Sequence, residues 1–530
     1  MMATANAVRW RERGWLALII LVFLAFGTFC ALYLTFSDGE WSFLVFGRMV
    51  IRGEIHLFQD ELSGRRLPLP AYVIGLSQIA GPSPLAGRLW SVALGGVALY
   101  LTFAVGRALA GFAGGALAAL FLATHPVVVG FYATASYYSL SAVMILAGTW
   151  AIVAWPSARG RLLGMACFSL LSISRAHLVP MVPFVLVYTL VSTRDARERW
   201  LLAAIAALPP VAFILWDPDH IKVLAYVPGL SRLVEPLGFR SLLDLGADAM
   251  LGEPGAMEGV AWFLRRHFFW VVATGGLAAA ATVGFARRSL PRPSLAAPIV
   301  FAAALAVYSL GCQAAMIPTY IKVVAAWSTT FAPLWAVVMG WAGAGLLARG
   351  SVPTWVRAPV VVLLLGVFAL SPSLARHAAM PHPLPPKTTL RMIDEDAARI
   401  RAVAPKGTRV FLLGSPVPAY VADVRPYLQQ ILGVWNLVPS TDEYAVSRSG
   451  VWGPRQIDEW LSRDAPFALV ETGRLDSLEK IPSYRPVIGQ IRSLLDRHFD
   501  RVGRGGEQPW MPAFDIYARR TVAPERRAER

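Results

Sequence analysis

Charge is scarce in this sequence. Only 15% of its 530 residues are Asp, Glu, Lys or Arg, where a soluble domain carries about a quarter. Set against 56% hydrophobic residues, that shortage excludes an ordinary water-soluble globule. It excludes a disordered chain as well, because such chains lack the apolar side chains abundant here. Cysteine is nearly absent. Cys30, Cys167 and Cys312 fall in or beside apolar stretches, with no metal-ligand spacing and no disulfide framework. They read as small buried apolar side chains. A glycine-rich phosphate loop, a dinucleotide fingerprint and a nucleophile turn are all missing, so no nucleotide cofactor is expected. No internal repeat marks a duplicated transporter. Acid is the scarcer sign: 33 Asp+Glu stand against 49 Lys+Arg, a net charge of +16. In a membrane protein that excess is first a topology signal and then a hint of an anionic ligand.

What is present is a series of long apolar runs. A helix needs about 20 such residues to cross a bilayer. Candidates lie at 15–36, 88–106, 112–130, 137–155, 161–174, 177–192, 200–216, 268–286, 294–314, 322–347 and 356–373, eleven in all. Two of them are short and are divided by Ser174-Arg175-Ala176-His177. The first run is too long for a cleaved leader, and Ser37-Asp38-Gly39-Glu40-Trp41 follows it without a small-residue cleavage site. It reads as a retained anchor. With the N-terminus in the cytoplasm, the short inside loops hold Arg9, Arg11 and Arg13, then Arg107, Arg159, Arg194, Arg287 and Arg349. Every short inside loop is then basic, as the positive-inside rule requires. Eleven crossings place the C-terminus outside.

Three segments then face outward: 37–87, about 217–267, and the chain beyond 376. In the first, Trp41 to Arg48 resumes an apolar pattern too short to cross, and Pro68 to Gly75 does the same. Both read as helices lying in the interface. The last segment opens on a stiff linker, Pro381-His382-Pro383-Leu384-Pro385-Pro386. Strands are predicted at Arg409–Gly414, Phe467–Val470 and Phe514–Ala518, with helices at 387–404 and 455–463 between them. The expected fold is a polytopic α-helical membrane protein of about 11 spans with a small C-terminal α/β extracytoplasmic domain. Its expected division is 1–375 and 376–530.

The chemistry-bearing residues gather on the outward side. Asp38 and Glu40 follow the first span at the membrane surface. Two readings of the pair stand. One is a solvated helix exit. The other is a half-desolvated general base poised to take a hydroxyl proton, with or without a divalent metal ion shared between the two carboxylates. Cations on the same side need a reason, since outside loops should be poor in them. They are Arg65, Arg66, Arg175, Arg265, Arg266 and Lys322. Arg265 and Arg266 directly precede a span, where headgroup anchoring also accounts for them. Arg175 and Lys322 lie near the membrane plane, where a cation needs an anionic partner. A lipid-borne phosphate would supply one, and arginine binds phosphate bidentately.

In their order along the chain these features resemble the GT-C superfamily of membrane glycosyltransferases, in the branch of protein O-mannosyltransferases and lipid A aminoarabinose transferases. The residues carrying the resemblance are Asp38-Gly39-Glu40, the interfacial segment between Gly47 and Gly53, and Asp60-Glu61 with Arg65-Arg66-Leu67-Pro68. Gly81-Pro82 with Arg88-Leu89, and the late pair Tyr320 and Pro333, complete the set. The resemblance covers about 10–375. It departs from the branch in two places. The pair is spaced D-x-E rather than adjacent, and the segment His125 to Tyr138 holds no carboxylate where many members have one. The family acid is replaced near Ser136 to Tyr138.

The resemblance implies an inverting glycosyltransferase of the bacterial inner membrane. It would move a sugar from a polyprenyl-phosphate donor to a hydroxyl on a glycan, glycolipid or protein, on the outer face. Asp38 would be the base and Glu40 its helper or a metal ligand. Arg65, Arg66, Arg175, Arg265, Arg266, Tyr320 and Lys322 would hold the phosphate. A lipid-linked-saccharide flippase and a catalytically silent lipid-binding relative are the alternatives. Nucleic acid is not an expected partner.

Overall fold

The computed structural model describes residues 2–33, 40–55, 68–175, 178–216, 301–305, 329–347, 390–427, 429–430, 437–439, 452–506 and 513–520. In chain order the first helices are α1 (Met2–Tyr33), α2 (Glu40–Ile51), α3 (Pro68–Gly75) and α4 (Pro84–Ala123). They are followed by α5 (Pro126–Tyr132), α6 (Tyr138–Ala154), α7 (Ala158–Ser169), α8 (Met181–Ser192), α9 (Ala196–Trp216) and α10 (Ala332–Leu347). Two compact units result. One comprises Met1–Ala31 and Arg88–Pro383; the other comprises Leu32–Gly87 and Leu384–Arg530. The domain boundary expected at 375–376 lies outside the described residues.

The first unit is helical. Among the described residues, three helices are long and apolar enough to cross a membrane: Glu12–Tyr33, Pro84–Ala123 and Ala196–Leu215. Tyr138–Ala154 and Met181–Ser192 are shorter apolar helices. The runs expected at 268–286 and 356–373 lie outside the described residues, as do most of 294–314 and the start of 322–347. Leu21 and Val22 on α1 and Leu208 and Leu215 on α9 are exposed, as lipid-facing side chains would be.

The two runs expected at 88–106 and 112–130 form a single element with a sharp reversal at Ala110 and Gly111. Gly111 has φ +68, a left-handed backbone that glycine adopts without steric cost. The two arms then touch backbone to backbone. A Cβ on Gly115 would stand 2.6 Å from the carbonyl oxygen of Phe103. The divided pair at 161–192 is seen as α7, a 3-10 turn at Leu170–Ile173, and α8. Arg161 donates from Nε and Nη2 to the two carboxylate oxygens of Glu198 at 2.6 and 2.9 Å, tying α7 to α9.

The second unit contains a five-stranded sheet. Its strands are β1 (Arg409–Leu413), β2 (Arg425–Pro426), β3 (Phe467–Glu471), β4 (Phe499–Gly505) and β5 (Phe514–Arg519), in spatial order β2-β1-β3-β5-β4. β1 runs parallel to β2 and β3, while β5 is antiparallel to β3 and β4. β1 and β3 are buried along nearly their whole length, as central strands covered on both faces must be. The helices are α11 (Leu390–Val403), α12 (Val417–Val421), α13 (Pro454–Glu459), α14 (Thr472–Glu479) and α15 (Arg485–His498). Val487, Ile488, Ile491, Leu494 and Leu495 put an apolar stripe of α15 into the core with Phe411, Leu413, Ala468 and Val470. The alternate residues Leu412 and Leu469 share the other face with Ile400 of α11.

Candidate active site

Glu40 occupies the first turn of α2 and is fully buried. An acid there stands beside the free N–H groups of the helix start, where negative charge is favoured. α2 is held by α3. A Cβ on Gly47 would lie 2.5 Å from the carbonyl oxygen of Ala71, and one on Gly75 would lie 2.5 Å from that of Gly47. The two backbones meet because neither residue has a side chain. Phe46, Val50, Ile55 and Ala71 close the contact. Both helices stand where the sequence puts short non-crossing helices.

Asp38, the other half of the acidic pair, lies outside the described residues. So do Arg65, Arg66, Arg265, Arg266, Tyr320 and Lys322. Glu40 belongs to the second unit and Arg175 to the first, so each is placed within its own unit. The metal site expected at Asp38 and Glu40 is therefore represented by one buried carboxylate. Among the described residues no group of three or more His, Cys, Asp or Glu side chains converges to hold a cation.

In the helical unit a buried polar cluster surrounds the start of α6. His125 caps α5, its Nδ1 accepting the N–H of Val128 at 3.4 Å. Tyr132 donates its hydroxyl to the carbonyl oxygen of Thr329 at 3.0 Å. Thr134, Ser136, Tyr137 and Ser139 are all buried. The Ser141 and Ser174 hydroxyls lie 3.3 Å apart, fixing the 174–175 segment against α6. The guanidinium of half-buried Arg175 lies 4.6 Å from the centroid of the Tyr137 ring. That is cation–π distance. No carboxylate pairs with Arg175 among the described residues. A ring face steadies a cation without neutralising it.

Two cations were missed as site residues in the sequence. Arg88 is fully buried and donates from Nη1 to the Ala31 carbonyl oxygen at 2.9 Å, capping the last turn of α1. It fixes the exit of the helix that leads to Asp38. Arg48 is buried in α2, and its Nη2 donates to Asp423 Oδ1 at 2.9 Å. An arginine inside an apolar helix was the signal for both, because a charge there requires a partner.

The small α/β domain has its own ligand-type position. In a sheet of order β2-β1-β3, chemistry is found at the carboxyl ends of the strands flanking the reversal. A small, half-open hollow lies there, lined by Gly414, Ser415, Glu471 and apolar neighbours. The Glu471 carboxylate accepts the Ser415 N–H at 2.6 Å.

No family model matches the chain, and no curated protein matches it. Solved structures do. ArnT from Cupriavidus metallidurans, bound to undecaprenyl phosphate, superposes with a TM-score of 0.57 at 13% identity, over 95% of this chain and 98% of that one. The chain has the GT-C fold. An oligosaccharyltransferase from Archaeoglobus fulgidus, in complex with Zn and sulfate, gives a TM-score of 0.50 at 11% identity, over 95% of this chain and 73% of that one. The mycobacterial arabinofuranosyltransferase AftD gives 0.48 at 16% identity, over 96% of this chain and 40% of that one. The alignment with ArnT runs through residues of both units.

Proposed function

We propose that this chain is an inverting glycosyltransferase of the bacterial inner membrane. It takes a sugar from a polyprenyl-phosphate donor and passes it to a hydroxyl on a glycan, glycolipid or protein at the outer face. The observation that carries the reading is the end-to-end likeness to ArnT, a protein solved with undecaprenyl phosphate. Buried Glu40 at the start of α2, and Arg175 held over the Tyr137 ring with no carboxylate partner among the described residues, support it.

In this reading the donor's prenyl tail lies among the spans and its phosphate meets cations. Arg175, Arg65, Arg66, Arg265, Arg266 and Lys322, with Tyr320, bind that phosphate and stabilise it as the leaving group. Asp38 accepts the proton of the acceptor hydroxyl as its oxygen attacks the sugar carbon from the face opposite the phosphate. The sugar–phosphate bond breaks, the new glycosidic bond forms, and the configuration inverts. Glu40, held at the start of α2, supports the charge of Asp38's surroundings. No nucleotide takes part.

Removing a general base costs about 10²–10⁴-fold in rate. Asp38→Asn is expected to lower transfer by at least about 100-fold while the protein stays folded. The measurement is mass spectrometry of cell-envelope glycans from cells lacking the protein, restored with the unaltered chain, and restored with the variant. Full glycan modification with Asp38→Asn removes the base role. It would favour the flippase reading, in which no proton is transferred.

A further inference from the structure

We propose that Asp423 and Tyr420 are positioning residues, through which the C-terminal α/β fold holds α2 and thereby Glu40 in its first turn. The functional half of this rests on the reading of Asp38 and Glu40 given above; the latch itself does not.

Asp423 has φ +62 and is the one described non-glycine residue with a positive φ. It ends α12. Its N–H donates to the Tyr420 carbonyl at 3.0 Å, and the Val424 N–H donates to the Ala419 carbonyl at 3.2 Å. That pair of bonds defines a helix ending at which glycine is the usual residue. A side chain at such a position is held against its backbone preference, and such outliers point to a role. What Asp423 supplies and glycine lacks is a carboxylate. Arg48 of α2 donates to it at 2.9 Å, and Arg52 lies 3.5 Å from the same oxygen. The Arg48 side chain is only 6% exposed, and its Nε and Nη1 have no hydrogen-bond partner among the described residues. Among those residues Asp423 is the anion that compensates this buried cation, and such a cation is costly to leave alone. Glu54 extends the network, with Arg425 at 3.3 Å.

The second contact comes from the same short helix. Buried Tyr420 donates its hydroxyl to Oε1 of Gln78, in the turn that follows α3. Gln78 is itself buried, accepts the Ser83 N–H at 2.9 Å and donates to the Ser83 carbonyl at 3.1 Å. Burial, and then the charge of Asp423, hold the Tyr420 phenol above its ordinary pKa, so it remains a donor. One five-residue helix thus grips both members of the α2–α3 pair. Arg48 lies about 12 Å along α2 from Glu40, at 1.5 Å per residue.

The test uses the full chain in lipid nanodiscs and in cells. Asp423→Gly suits the left-handed backbone and deletes only the carboxylate. The expected result is amide hydrogen exchange at 40–52 at least about 10-fold faster, with β1 and β3 amides unchanged, and envelope-glycan transfer lowered by about 10-fold. Tyr420→Phe should act in the same direction, about 3-fold. Asp423→Asn, which keeps the side-chain size, takes the same measurements should the glycine variant unfold. Unchanged exchange at 40–52 overturns the latch. Faster exchange with undiminished transfer overturns the positioning role. Full transfer in Asp38→Asn would remove the catalytic reading and leave the exchange result standing.

Discussion

At the scale of single residues, the informative feature is the partner of Arg175. A carboxylate would fix the guanidinium and cancel its charge. The Tyr137 ring fixes it without adding a negative charge. A cation over an aromatic face gains about 0.5–2 kcal/mol, according to how dry the site is. Tyr137→Leu is therefore expected to weaken donor use by roughly 3- to 30-fold, while Tyr137→Phe retains most of it. The apparent KM for the lipid-linked donor, in membranes carrying each variant, checks this. An equal loss in Tyr137→Phe would mean that the hydroxyl, not the ring, is at work. The sequence exposed the missing acid between His125 and Tyr138 but not what replaced it. Tyr137 is adjacent to Tyr138, and linear order does not say which ring faces a residue 38 positions away.

At the scale of elements, the α2–α3 contact sets how closely the acid-bearing helix approaches its neighbour. Gly47 and Gly75 touch through their backbones. A methyl group at either position must separate the helices, and overpacking of this kind costs about 1–3 kcal/mol. Gly47→Ala is expected to lower the thermal midpoint of the detergent-solubilised protein by several degrees and to reduce transfer with it. An unchanged midpoint would show that the pair adapts without strain. Both short helices were legible, because their apolar runs stop well before crossing length. Three strands were legible for a related reason. Arg409–Gly414, Phe467–Val470 and Phe514–Ala518 lie at the middle of the sheet and are uniformly apolar or alternating. β4 was not. Its sequence, Phe-Asp-Arg-Val-Gly-Arg-Gly, belongs to an edge strand, where charge and glycine discourage pairing with strangers and also erase the apolar signal. β2 is two residues long and carries a proline, which an edge tolerates.

At the scale of the whole molecule, the GT-C architecture was readable from the order of weak motifs along the chain. What the order could not supply was the contact between the first outside loop and the C-terminal domain. Arg48 and Asp423 are 375 positions apart, and neither looks unusual alone. The charge asymmetry of the loops makes a further prediction about the whole chain. With the N-terminus inside and an odd number of crossings, an alkaline phosphatase fused after residue 520 is active, because it folds outside. A fusion after Arg107 is inactive. The reverse pattern would invert the topology and move Asp38 to the cytoplasmic face.

The reversal at Ala110 and Gly111 leaves no slack between its two arms. With only two residues to turn the chain, neither arm can slide along the other without breaking the close approach of Gly115 to the Phe103 backbone, so the two arms shift as one stiff hairpin.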